Sequence, residues 1–446
     1  MTRLLHKQRG MTIEDYLRLH AAETPSKTAV MTPTESATYA ELLTLAERRA
    51  GELAPTRGKA VAFRAKPDVD TIATYFALHM AGAAAVPLDK ALPDALMDEY
   101  RRKLQSESPA DGTADILFTT GTTGRQKGVM ISADTILANA ENLVEAQGFT
   151  KDVEFIINGP LNHIGSLSKI YPTIYVGGTI RVIDGMRDLN AFFRAIEAVE
   201  GRHAATFLVP ANIRMLLTFG RAKLASLSGK IEFIETGAAP MAQSDMEALC
   251  AALPKTRLYN TYASTETGII STFDYNAGEC IAGCLGKPMR HSRMEISANG
   301  FVTCSGRTLM LGYYADPELT ARTLSGGSIK TSDMGCFDAQ GRLRLSGRSD
   351  DVINIGGFKV SPSEVEDAAM RTEWVRDCIC VECEHKILGK TLKLIVVTDG
   401  RDIDVRALAA AMGERLEAHK VPTTFERAES IKRTFNGKLD RKAYKA

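Results

Sequence analysis

The sequence predicts an α/β protein with largely parallel sheets, followed by a short β-rich segment and a small α+β unit at the C-terminal end. Three observations carry this. From Asp111 onward, short apolar runs alternate with amphipathic helical stretches, the pattern of strands covered by helices. Residues 280–348 change to short, glycine-punctuated strand-like runs with few helical periods. At 446 residues the chain is also long for one core, so two or more domains are expected.

Taken in order, helical periodicity marks Ile13–Glu23 and Tyr39–Leu53, with a strand at 60–63 between them and the next apolar stretch. That stretch, residues 71–88, is uncharged for long enough to raise a membrane-spanning reading. His79, Gly82 and Pro87 interrupt it, so it reads as a buried helix (71–80), a glycine turn and a buried strand (83–88). No transmembrane segment is expected, and residues 1–14 show no secretory signal. Further strands are expected at 116–118, 155–157, 179–183, 205–209 and 231–235.

A boundary is expected near Arg348-Ser349-Asp350-Asp351, dividing the chain into 1–349 and 350–446. Beyond it come a hairpin-like stretch (352–360), a helix, a strand, a second strand (392–398) and a helix (404–419). Ser361, Pro362 and Glu364 spell a capping box at the start of the first of these helices.

Composition narrows the function. Lys and Arg number 55 against 54 Asp and Glu, a balance with no global attraction for nucleic acid or an anionic membrane. Among the eight cysteines, Cys378 and Cys380 alternate with Ile379 and Val381 as a strand alternates its faces. No second Cys pair follows at zinc-site spacing, so small buried thiols in a reducing cytoplasm are expected.

The most informative segment runs Leu117-Phe-Thr-Thr-Gly-Thr-Thr-Gly-Arg-Gln-Lys-Gly-Val129. An apolar strand enters a loop of Thr119, Thr120, Gly121, Thr122, Thr123 and Gly124 that ends at Lys127. Ser132 then caps a helix whose Ile136, Ala140, Leu143 and Val144 share one face. Glycines let backbone approach a phosphate, hydroxyls and amides donate to it, and the lysine neutralises charge. Neither a Walker A loop nor a GxGxxG fingerprint is present. Without a ligand, the same residues would be a polar turn between strand and helix.

This loop closely resembles the phosphate-binding signature of the adenylate-forming superfamily of acyl-CoA synthetases, peptide-synthetase adenylation domains and luciferases. Gln126 departs from the Pro or small apolar residue usual there. Further motifs follow in the family's order. Asn260-Thr-Tyr-Ala-Ser-Thr-Glu-Thr-Gly268 resembles the second core motif, which implies Mg²⁺ at Glu266 and the AMP phosphate at Thr265, with Asn260 and Tyr262 beside the nucleotide. Gly237-Ala238-Ala239-Pro240 resembles the loop over adenine, and Lys330-Thr-Ser-Asp333 the segment whose Asp accepts from both ribose hydroxyls. Ser332 stands there in place of the usual Gly. Ser346-Gly-Arg348 implies a guanidinium on ribose and phosphate oxygens. Asn436-Gly-Lys-Leu-Asp-Arg441 resembles the last motif, whose lysine, here Lys438, bridges carboxylate and α-phosphate.

The resemblance also implies architecture and reaction. A large N-terminal domain of two α/β subdomains and a β subdomain should precede a small mobile C-terminal domain. Asp350 falls at the family's hinge, and Gly356 and Gly357 would line the thiol channel. Pro160-Leu-Asn-His-Ile-Gly-Ser166 matches the acyl-pocket segment, with His163 at a gating position and no Asp for an amino-acid ammonium. A buried ammonium without a partner is costly, so an α-amino acid is disfavoured. The implied activity is ATP-dependent formation of acyl-AMP from a fatty, aromatic or similar acid, then transfer to CoA, nearest to acyl-CoA synthetases. The alternative acceptor is the phosphopantetheine thiol of an acyl or aryl carrier protein.

Overall fold

The computed structural model describes residues 10–120, 126–355, 358–385, 389–434 and 438–444. In its large sheet, Arg257–Ser264, Ile231–Thr236, Ala204–Leu208, Glu154–Ile157, Thr179–Val182 and Thr28–Met31 lie side by side and run parallel. Their residues are buried almost without interruption, as expected for strands covered on both faces. A smaller sheet joins the parallel strands Ala60–Ala65, Ala84–Asp89 and Thr113–Thr120 to antiparallel Gln126–Ser132 and Gly312–Tyr313. These are the two expected α/β layers.

Local chemistry explains the helix boundaries. Ile13–Glu23 and Tyr39–Leu53 have the bounds that periodicity predicts. Thr38 opens the second with a capping box, its own N–H donating to Glu41 at 2.8 Å. The helix expected at 71–80 extends over Val69–Ala81, because Asp68 accepts from the Thr71 amide and caps it two residues earlier. It ends at Gly82, whose φ of +74° suits a glycine stop. Among the described residues no helix is long and apolar enough to cross a membrane. The main apolar core draws on both sheets and their helices, with Leu17, Phe76, Leu117, Ile136, Phe155 and Phe233 among its members.

The β-rich segment is joined to the large sheet, because Cys284–Pro288 pairs with Gly268–Asp274. Two expectations need correction. The helix expected over 404–419 is only Val405–Gly413, followed by a 3₁₀ turn at Ala418–Lys420. Gly413 costs about 1 kcal/mol against Ala in a helix interior, which favours stopping there. The capping box at Ser361 does not form. Its hydroxyl bonds Ser363 (2.9 Å) and faces Gly347, while Glu364 reaches Lys420 at 2.9 Å.

The C-terminal unit has its own core of Val360, Val365, Cys378, Cys380, Leu394, Leu408 and Met412, without a member from before residue 350 among the described residues. Cys378 and Cys380 face that core, and Ile379 and Val381 face a second apolar cluster. A strand at Thr424–Arg427, parallel to Gly389–Thr398, completes a three-stranded sheet.

Candidate active site

The expected site residues gather where the parallel strands of the large sheet end. The Pro160–Ser166 segment comes after Glu154–Ile157, Gly237 follows Ile231–Thr236, and Glu266 comes just after Arg257–Ser264. In open α/β sheets this edge is where ligands bind.

Two antiparallel strands flank the phosphate-loop residues. Gln126–Ser132 runs back along Thr113–Thr120, placing Thr119 opposite Lys127 and Thr120 opposite Gln126. Gly121, Thr122, Thr123 and Gly124 lie outside the described residues. Ser132 caps the following helix, Ala133–Gln147, by accepting from the Thr135 amide, and Ile136, Ala140 and Leu143 are buried as expected. The Lys127 ammonium stands 5.5 Å from the centre of the Tyr313 ring. The Tyr313 hydroxyl in turn donates to Glu266 Oε1 at 3.1 Å.

Thr265, Glu266 and Thr267 form the tip between two antiparallel strands, with Ser264 paired to Gly268. Ser264 and Thr267 lock that tip by exchanging bonds, each hydroxyl accepting from the other's amide at 3.0 and 3.2 Å. Gly268 has φ +68°, and a Cβ there would come within 2.4 Å of the Thr308 carbonyl. Glu266 is therefore held rigidly, half-exposed, and its Oε2 has no hydrogen-bond partner among the described residues. One free carboxylate oxygen on a fixed loop suits a hard divalent cation.

Asp333 and Arg348 sit opposite each other on adjacent antiparallel strands. Arg348 approaches Asp333 Oδ1 at 3.3 Å, and the Tyr262 hydroxyl donates to Oδ2 at 2.7 Å. Burial and the Asp333 charge push the Tyr262 phenol well up, so it stays a donor. Asp350 lies 3.4 Å from the other Arg348 nitrogen. In the loop Gly237-Ala238-Ala239-Pro240, a Cβ on Gly237 would press the Thr261 carbonyl at 3.0 Å. Ala238 has φ +69°, a left-handed conformation that costs a non-glycine residue roughly 1–2 kcal/mol. Asn260 is buried and donates its amide to the Cys284 carbonyl (3.1 Å), which makes it a strut between strands. Thr265 is buried beside Glu266.

Lys438 belongs to the same cluster, although it is distant in sequence. Its side chain keeps access to water, yet enclosing protein lowers its pKa, helped by Arg348 and opposed by Asp333, Glu266 and Asp351. His163 also feels the Lys438 charge: burial and then that charge lower its pKa to about 4. This imidazole is neutral, and its Nδ1 accepts from the Gly165 amide at 3.3 Å. His163 lines a cavity of about 320 Å³ with Pro160, Met186, Phe207, Val209 and Met215, and the polar Asn158, Arg187 and Asn212 also face it. Among the described residues no carboxylate lines it.

Gly356 and Gly357 lie outside the described residues, as do Asn436 and Gly437. Sequence reasoning missed Tyr313 and most of the cavity wall. Met186, Phe207 and Val209 follow or end parallel strands, so the strand-end rule could have found them. Tyr313 carries no such signal, since pairing with Val129 and the bond from the Met310 amide to the Glu266 carbonyl (2.8 Å) bring its segment there.

Residues 17–100 and 94–314 match the AMP-binding enzyme family, and residues 364–438 match the AMP-binding enzyme C-terminal domain. Indoleacetate–CoA ligase of Aromatoleum aromaticum is 26% identical over 96% of both chains. The 2-succinylbenzoate–CoA ligase of Staphylococcus aureus is 29% identical over 74% of this chain and 66% of its own length. Among solved structures, ATP-bound MatB from Rhodopseudomonas palustris superposes with a TM-score of 0.85, at 23% identity, over 97% of this chain and 99% of that one. The fold, the ordered motifs and these matches together show that the chain belongs to the AMP-binding enzyme family, the adenylate-forming superfamily that contains the acyl-CoA synthetases.

Proposed function

We propose that this enzyme activates a non-amino carboxylic acid, fatty or aromatic, as its acyl-AMP and transfers the acyl group to the thiol of CoA. The observation that carries this reading is the position of Lys438. Its charge is felt by His163 of the cavity, and it feels the charges of Arg348, Asp333 and Glu266. A carboxylate in the cavity and an α-phosphate beside Glu266 would meet at that ammonium. Relatives named for CoA ligation of indoleacetate and 2-succinylbenzoate support the acceptor and the acid class.

In the first half-reaction the acid's carboxylate oxygen attacks the α-phosphorus of ATP, and the bond to the β-phosphate oxygen breaks to release pyrophosphate. Lys438 offsets the negative charge that spreads over the two reacting groups. Asp333, oriented by Tyr262 and Arg348, would accept from ribose hydroxyls. Thr119, Thr120 and Lys127 flank the loop expected to hold phosphate, and Thr265 would meet the α-phosphate. Mg²⁺, held at Glu266, would neutralise phosphate charge. In the second half-reaction the CoA sulfur attacks the acyl carbonyl carbon, the carbon–oxygen bond to AMP breaks, and the thiol proton leaves to solvent. For that step the domain beginning at Asp350 is proposed to turn and withdraw Lys438. The chain is placed in the cytoplasm, where thiols such as Cys378 and Cys380 remain reduced.

Pyrophosphate release across acid classes, with and without CoA, tests the proposal. Release with aryl or fatty acids, and acyl-CoA when CoA is present, is expected. Release with standard amino acids alone would overturn it, and acyl transfer only to a carrier protein would replace CoA as the acceptor.

A further inference from the structure

One set of ion pairs joins the two parts of the molecule and has no role in the mechanism above. Arg214 lies on the helix Pro210–Phe219, and its neighbours Asn212 and Met215 line the acyl cavity. Its Nε and Nη2 both donate to Asp245 Oδ2, at 3.0 and 2.9 Å. Its Nη1 crosses to the C-terminal unit and donates to Asp377 Oδ1 at 2.6 Å. The other oxygen of Asp377 accepts from Arg433 at 2.6 Å. All four side chains are largely buried, with 11–24% of their surface exposed.

Arg433 stands at the base of the turn that presents Lys438. It bridges Leu439 across that turn, and the Thr434 amide donates to the Lys438 carbonyl at 2.8 Å. On the far side, Arg441 grips Glu366 and the Cys380 carbonyl, the latter at 2.9 Å. A second crossing contact, from the Gln243 amide to Asp367 at 2.9 Å, supports the same docked arrangement. The chain Asp245–Arg214–Asp377–Arg433 thus links the wall of the acyl cavity to the root of the lysine turn.

Resting on the reading above, we propose that Arg214 and Asp377 are positioning residues. Their ion pair holds the C-terminal domain in the arrangement that forms acyl-AMP, and it couples acid binding to the placement of Lys438. Arginine suits the task because its fork reaches two carboxylates at once. The pair must open before any domain turn, so it acts on the first half-reaction and not the second.

Arg214→Gln, Asp377→Asn and their double variant test this in the full chain. Pyrophosphate release should slow about tenfold in either single variant and no further in the double. Arg214→Lys, which keeps the charge but loses the fork, should fall between. Thioester formation from supplied acyl-AMP and CoA should stay within about twofold of the parent. Equal loss in both half-reactions, or pyrophosphate release within twofold of the parent, would overturn the proposal. Hydrogen exchange of the ligand-free chain gives a readout independent of activity. Both variants should speed exchange in Pro210–Phe219 and Val375–His385, and unchanged exchange there would also overturn it. A parent chain that released no pyrophosphate with any acid would sink the functional reading alone, because exchange would still report on the tie.

Discussion

Two clusters of charge in this protein have opposite designs. In the first, buried His79 lies between Glu14 (2.7 Å) and Asp115 (2.9 Å), and the hydroxyls of Tyr75 and Tyr171 donate to the other Asp115 oxygen. Burial works against the His79 charge, but Glu14 and the bonds to Asp115 outweigh it and raise its pKa to about 10. In the second cluster Glu266, Asp333, Arg348 and Lys438 keep access to water, with one Glu266 oxygen unbonded among the described residues and Lys438 made less basic by its surroundings. The difference teaches how to tell scaffold from site. A buried cluster that satisfies its own polar atoms has nothing left for a ligand, whereas a rigid, incompletely satisfied one does.

The largest effect should come from breaking the closed cluster. His79→Gln leaves two buried carboxylates without their cation and should destabilise the fold by about 3–5 kcal/mol, read from the urea midpoint. A loss under about 1 kcal/mol would erase the distinction between the clusters.

The same histidine predicts a pH dependence. It keeps its proton to about pH 10 when folded, whereas an ordinary histidine loses it near 6.5. Its stabilisation is therefore complete below pH 6.5 and is lost as pH rises toward 10, by about 1.4 kcal/mol per pH unit. Urea titrations from pH 6 to 10 should show this fall in the parent and a flatter profile in His79→Gln.

The open cluster should yield catalytic effects with little change in stability. Lys438→Ala should lower pyrophosphate release by about 10²–10³-fold and leave transfer from supplied acyl-AMP nearly intact. Equal damage to both steps would end the idea of a lysine that serves one step. Glu266→Gln should slow the first step by about 10–100-fold and raise the Mg²⁺ concentration needed. The smallest effect is expected for Tyr313→Phe, which removes one hydrogen bond to Glu266. A two- to tenfold loss, partly recovered at high Mg²⁺, would confirm that Tyr313 orients the carboxylate.

What the sequence determined by itself is local. Strand and helix order, the caps at Thr38 and Ser132 and the glycine stop at Gly82 follow from side chains acting within a few residues of themselves. The nucleotide-side motifs were legible for the same reason, since the tip holding Thr265 and Glu266 is closed by its own Ser264 and Thr267. Ser361 shows the limit, because a correct local signal lost to packing against Gly347. Everything that needed distant strands to meet was decided only by the tertiary structure. The placing of Tyr313 at Glu266 and the tie from Arg214 to Asp377 depend on contacts 47 and 163 residues apart. The acyl cavity is the extreme case. Its walls come from three strand ends, the segment Pro160–Ser166 and the helix Pro210–Phe219, which only the sheet sets around one space.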